Sequence, residues 1–200
     1  TPPSTVDMEA IEPEWFQLTQ KERNEKAKQL LADAGYGPGN PLSFTLLYNT
    51  SEAHRKVAIA AASILKQNAG IEVKLENQEW KTFLDSRHQG NYEVARAGWC
   101  ADYNEPSSFL NIMLSTSSNN TSHYKSDEFD AAMRKSITAA TEDDRVKAYQ
   151  EAERVLDEDS ALVPIYYYVS PRLVKPYVGG YSVNNPLGYA YTKDMYIIEH

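Results

Sequence analysis

The sequence holds a single cysteine, Cys100, in 200 residues. One thiol excludes a disulfide framework within the chain and any multi-cysteine zinc site. Histidine is scarce as well: His54, His88, His123 and His200 are the only ones. No two of them have the i, i+4 spacing that puts a pair of imidazoles on one helical face for a metal, so each reads as a surface or pocket residue and no metal is expected. G-x-G-x-x-G, P-loop and G-x-S-x-G motifs are missing, which leaves nothing to cradle a nucleotide phosphate or present a serine nucleophile, and no cofactor is expected. Long hydrophobic runs are missing too. The longest mainly apolar stretch, Val57 to Leu65, is far short of the roughly 18 residues a membrane-spanning helix takes. Basic residues are outnumbered, 20 against 28 acidic ones, for a net charge of −8. Such a surface repels a phosphate backbone and argues against a nucleic-acid partner. Thr1-Pro2-Pro3 opens without an initiator methionine or a charged-then-apolar leader, as expected where a targeting peptide has been removed or was never included.

What remains is an ordinary globular composition, 42% hydrophobic and 24% charged. Thr19 and Glu22 have capping-box spacing ahead of Ala27, Leu30, Leu31 and Ala34, and Gly35 with Pro38 stops that helix. Leu42, Phe44, Leu46 and Tyr48 alternate as a strand does. Asn49-Thr50-Ser51 supplies caps for a second helix with Val57, Ala61, Ile64 and Leu65 inward and Gly70 at its end. Ile71 to Leu75 alternates again, Trp80, Phe83 and Leu84 mark a third helix ending at Gln89-Gly90, and residues 92–97 read as a third strand. This β-α-β-α-β order predicts a parallel sheet with right-handed crossovers.

Beyond Pro106 the pattern turns helical. Ser115 to Asn120 is a polar loop. Ser126 caps a helix carrying Phe129, Met133 and Ile137, and Thr141 caps another carrying Val146, Tyr149, Ala152 and Leu156. Residues 161–169 are β-prone, but Pro164 confines them to an edge or a bulge. Then come Pro171, Pro176, Gly179-Gly180 and Asn184-Asn185-Pro186, a turn-rich stretch, and a last strand over 195–198. Eight of the fourteen tyrosines lie after residue 160, and rings with a polar tip suit a surface that packs on something else. The expected organisation is an α/β lobe over residues 1–168 with an extended tail over 169–200.

The segment Arg96-Ala97-Gly98-Trp99-Cys100-Ala101-Asp102-Tyr103-Asn104-Glu105-Pro106 lies where the third strand should end, and ligands gather at the carboxyl ends of strands in open α/β sheets. Gly98 lets another backbone approach, Trp99 offers a flat face and Asp102 a charge. A buried tryptophan beside a loop-capping aspartate would look the same. Cys100 with His54 or His88 could form a nucleophilic pair by geometry alone, although a lone cysteine serves equally as a small buried hydrophobe and no activating motif surrounds it.

At this segment the chain closely resembles the oligopeptide-binding proteins of bacterial ABC importers, the large bilobal (type II) periplasmic solute receptors. The resemblance also rests on Leu47 to Ser51, Asn77 to Phe83, Asp85 to Gly90, Ala95 to Pro106, His123 to Ser126, Pro164 to Tyr168, Arg172 to Pro176 and Met195 to Ile198, in order along the chain. It implies one lobe of such a receptor, with a mainly parallel sheet flanked by helices, and no enzymatic activity. The implied partners are short peptides, an ABC permease in the inner membrane, and an amino-terminal lobe that this sequence does not include. The implied location is periplasmic.

Residue by residue, the resemblance puts a peptide's α-ammonium on Asp102. It lays the peptide main chain as an added strand along Ala97, Gly98, Trp99 and Cys100, a mode that gives affinity without choosing among side chains. Pockets walled by Trp80, Trp99, Arg87, His88 and Tyr168 would take the side chains with adaptable water. The carboxylate of a tripeptide would face Arg96, and longer peptides would reach His54. Trp80 and Tyr168 also fit a plain core role. The resemblance further implies a disulfide between Cys100 and a cysteine upstream of residue 1. Rival readings are a dipeptide or murein-peptide receptor of the same superfamily, a carbohydrate or surface-binding module using the tyrosines, and a cysteine hydrolase.

Overall fold

The computed structural model describes every residue except 4, 6, 7, 9, 10, 170, 183–189 and 200. The expected turn at Asn184-Asn185-Pro186 and His200 lie outside the described residues. The chain forms two compact units, one of residues 12–98 with 118–124, the other of 1–11, 99–117 and 125–200.

The first unit is built on a parallel sheet. Helix α1, Gln20–Asp33, starts at the expected capping box, in which the Thr19 hydroxyl accepts the Glu22 N–H and the Glu22 carboxylate accepts the Thr19 N–H. Strand β1, Ser43–Asn49, leads through Ser51 as cap into helix α2, Glu52–Ala69, which ends at Gly70 in the left-handed region. Strand β2 is Glu72–Gln78, helix α3 is Trp80–Gln89 and strand β3 is Val94–Ala95. The sheet order is β2-β1-β3, with Ser43 opposite Glu72, Asn49 opposite Gln78 and Leu47 opposite Ala95. Right-handed crossovers put α2 and α3 on opposite faces, so central β1 is covered on both sides and reads as the near-continuous run Phe44, Leu46, Leu47, Tyr48. Leu47 and Phe83 are fully buried.

Two expectations shift here. Ile64 is 57% exposed, and Ala58 is the helix α2 residue that is buried. Strand β3 keeps two residues of the expected six, because ladder partners are replaced at its start. The Glu93 carboxylate, rather than a backbone carbonyl, accepts the Thr45 N–H at 2.7 Å.

The second unit is mainly helical. A single turn, α4, Ser107–Leu110, precedes helices α5, Asp127–Thr138, and α6, Glu142–Glu158, capped by Ser126 and Thr141 as the sequence predicts. The α5–α6 pair packs Phe129, Ala132 and Met133 against Ala148, Tyr149, Ala152 and Val155, all buried. The buried positions 129, 132, 133 and 136 are one turn apart, which leaves Ile137 off the stripe and 80% exposed. Residues 161–169 form no strand, as a proline that cannot donate to a ladder favours. A short antiparallel pair closes the unit: β4, Val178–Gly179, with β5, Tyr196–Ile197. The turn signals around 179 hid β4 from sequence reasoning. Gly179 belongs there because a Cβ would lie 2.4 Å from the Tyr196 ring.

Candidate functional site

In a parallel sheet the carboxyl ends of the strands carry function. In the first unit they bring Asn49, at the close of β1, beside His54 in the first turn of α2. Asn49 is buried, and its Oδ1 lies 2.9 Å from His54 Nδ1. Arg96 follows β3 directly, and its N–H donates to the Leu47 carbonyl at 2.8 Å, which fixes the backbone that carries the guanidinium. His54 titrates below the usual imidazole range, first because burial disfavours its charged form and then because Arg96 is positive. Arg96 therefore supplies the standing positive charge at this end of the sheet, with His54 as a neutral hydrogen-bonding group.

Among the described residues, strand β3 is an edge strand and pairs only with β1. Ala97 and Gly98 continue it and are exposed, and among the described residues neither has a backbone hydrogen bond. That leaves an open edge able to pair with an added strand.

Helix α3 carries three of the expected residues. Trp80 stacks on Phe83 with ring centroids 5.9 Å apart and keeps half its surface exposed. Trp80 thus keeps part of its ring outside the core. The Arg87 guanidinium lies 5.6 Å from the Phe83 centroid and donates to Thr121 Oγ1 at 2.6 Å. Burial is the main influence lowering the Arg87 pKa; nearby Tyr92 opposes it, and Arg96 adds to it. Arg87 remains cationic in any case. His88 is exposed, with Nδ1 2.8 Å from the Leu84 carbonyl.

The remaining residues lie in the second unit. Trp99 is half-buried, and its indole N–H is buried with no hydrogen-bond partner among the described residues. Cys100 has a free, exposed thiol. Asp102 is exposed, and its N–H donates to Ser108 Oγ at 2.9 Å, whereas its carboxylate accepts no hydrogen bond among the described residues. A loop-capping aspartate would do the reverse and accept through its side chain. Tyr168 stands on the segment 161–169, edge-on to Tyr166 with centroids 5.1 Å apart, and is 54% exposed.

The structure thus groups His54 with Arg96, places Arg87 within the electrostatic reach of Arg96, and sets Trp80, Arg87 and His88 on one helix. Trp99, Cys100 and Asp102 follow one another in the second unit, with Tyr168 on a separate segment. Sequence reasoning took Asn49 only as capping chemistry, although a polar residue ending a buried strand was a signal. It also gave no sign of the side chains that support the Asp102 loop.

A sheet whose strand ends carry polar and charged groups, beside an open strand edge, is the architecture of a solute-binding lobe. Residues 3–121 match the model of the bacterial extracellular solute-binding proteins, family 5 (middle), and the chain belongs to that family. It is 60% identical over all 200 residues to the periplasmic oligopeptide-binding protein OppA of Salmonella typhimurium, and it spans 37% of that protein. The structure of the Escherichia coli murein tripeptide binding protein MppA matches the whole chain at 48% identity and a TM-score of 0.89, with 39% of MppA covered. Haemophilus influenzae OppA in complex with RPPGFSPFR matches the whole chain at 50% identity and a TM-score of 0.87, again over 39% of its length. The chain therefore spans well under half the length of these relatives. Like them, it is periplasmic. Among the described residues no helix is long and apolar enough to cross a membrane.

Proposed function

We propose that this chain supplies one peptide-binding lobe, residues 1–168, of a receptor that captures short oligopeptides and hands them to an ABC permease in the inner membrane. Residues 169–200 are its tail and return to the amino-terminal lobe that the longer relatives include. The observation that carries this reading is Asp102: an exposed carboxylate on a backbone held by Ser108, with no partner of its own among the described residues. A peptide with a free amino terminus brings an ammonium to meet it.

The mechanism is binding and release, with no bond made or broken. The peptide main chain pairs along Ala97, Gly98, Trp99 and Cys100, beginning on the open edge that β3 leaves. Its ammonium meets Asp102. Its carboxylate meets Arg96 in short peptides and reaches His54 in longer ones, where an arriving negative charge favours protonation of the imidazole. Trp80, Arg87 and His88 in the first unit, and Trp99 and Tyr168 in the second, supply surfaces for the peptide's side chains. The exposed Val169, Leu173 and Ile197 support the packing of the tail on a surface outside this chain.

Mass analysis of the ligands retained by the full-length receptor tests this reading. Short peptides of mixed sequence with free amino termini are expected; a sugar or another non-peptide solute as the retained species would overturn it. Cys100 is a separate matter. Secreted proteins rarely leave a thiol unpaired, and the family resemblance points to a cysteine upstream of residue 1. We expect thiol titration of the oxidised full-length receptor to find Cys100 protected, and a reactive Cys100 would count against the pairing.

A further inference from the structure

We propose that Glu105 and Tyr149 are positioning residues for Asp102, forming a hydrogen-bonded strut between the core of the α5–α6 pair and the loop that presents the ammonium acceptor. The inference rests on the assignment of Asp102 to the peptide ammonium.

The strut begins at Tyr149, a buried residue of α6 whose hydroxyl donates to Glu105 Oε1. Burial, and next the hydrogen bond to Glu105, raise the phenol's pKa, so Tyr149 remains a donor. The other oxygen of Glu105 accepts from the Ser107 hydroxyl and, at 3.2 Å, from the Ser107 N–H. Tyr103 Oη lies 2.9 Å from the same Ser107 hydroxyl. The Glu105 carbonyl accepts the Ser108 N–H at 3.0 Å, and Ser108 Oγ accepts the Asp102 N–H at 2.9 Å. Pro106, fully buried, and Ser108, also buried, anchor the turn between these groups.

The geometry separates two jobs. Among the described residues, the bonds from Tyr149, Ser107 and Ser108 that hold the loop run without the Asp102 carboxylate. Tyr149, Glu105, Ser107 and Ser108 spend their hydrogen bonds on one another and on the loop backbone, and Asp102 enters the network through its N–H alone. The backbone that carries the carboxylate is held in place for a ligand, so less loop entropy is lost when an ammonium arrives. A carboxylate on an untethered loop would have to be ordered on each binding event.

The test compares a short peptide with a free amino terminus and its N-acetylated form on full-length receptors carrying Tyr149→Phe, Asp102→Asn or both. Tyr149→Phe keeps the ring in the core and removes the hydroxyl, which donates to Glu105 and also faces Ser136 and Ser107. We expect it to weaken the free-amino peptide about five- to tenfold, the worth of one hydrogen bond, and the acetylated peptide by less than about twofold. On the Asp102→Asn background the same change should have no such selectivity. Equal losses for both peptides, or no loss for either, would overturn the positioning role while leaving Asp102 as the acceptor. If Asp102→Asn itself fails to distinguish the two peptides, the assignment of Asp102 fails and the strut inference falls with it. Should Tyr149→Phe not fold, Ser108→Ala removes the last link to the Asp102 N–H and must show the same selective loss.

Discussion

Asp102→Asn in the full-length receptor is expected to weaken binding of a free-amino peptide by about 3–5 kcal/mol, the usual cost of removing one partner of a buried charge pair. An ammonium enclosed in a closed receptor loses its water, and a neutral amide cannot replace the charge it needs. In the unliganded chain the carboxylate is exposed and uncommitted, so the substitution removes no hydrogen bond of the loop, whose tie to Ser108 runs through the Asp102 N–H. Thermal stability of the unliganded receptor should therefore change little. An aspartate that served only the loop would behave oppositely, with stability falling and affinity unchanged. Calorimetric titration and thermal unfolding of the same two proteins tell these apart.

This 200-residue chain on its own is expected to bind peptides at least about a hundredfold more weakly than the full-length receptor, a loss near 3 kcal/mol. Two physical terms produce the loss. Bilobal receptors close around the ligand by a hinge, so a single lobe forfeits the contacts of the other. Closure also removes water from the charge pair, and at a surface open to solvent the attraction between Asp102 and an ammonium falls to the level of an exposed ion pair. The tail of the isolated chain also leaves Val169, Leu173 and Ile197 exposed, an apolar surface through which copies can associate. Calorimetry of the isolated chain, at concentrations where ultracentrifugation finds it monomeric, checks this. Submicromolar affinity would contradict it.

Local rules made much of the sheet readable in advance. Thr19 with Glu22, Ser51, Ser126 and Thr141 each cap a helix through the side chain, and Gly70 and Gly90 each end one in the left-handed region, because caps are decided within four residues of sequence. Long-range pairing was less legible. The length of β3 depends on where Glu93 and Arg96 meet β1, and the pairing of β4 with β5 joins residues nearly twenty positions apart across a stretch dense in turn formers. The exposure of Ile64 and Ile137 likewise depends on which part of a helix face finds a neighbour. At the candidate site the charged and aromatic residues were visible as types in a telling segment. Their supports were not: Tyr149 reads in sequence as one more apolar residue of α6, and only the fold carries its hydroxyl to Glu105, forty-four residues earlier.

The central claim, that Asp102 recognises the peptide ammonium, is tested most directly by a double-mutant cycle on the full-length receptor. Its four affinities are wild type and Asp102→Asn, each with a free-amino peptide and with the same peptide acetylated. Acetylation should cost the wild type several kcal/mol and the Asp102→Asn receptor much less, with a coupling of about 2–3 kcal/mol between the two changes. Additive effects, with a coupling below about 0.5 kcal/mol, would remove Asp102 from the site.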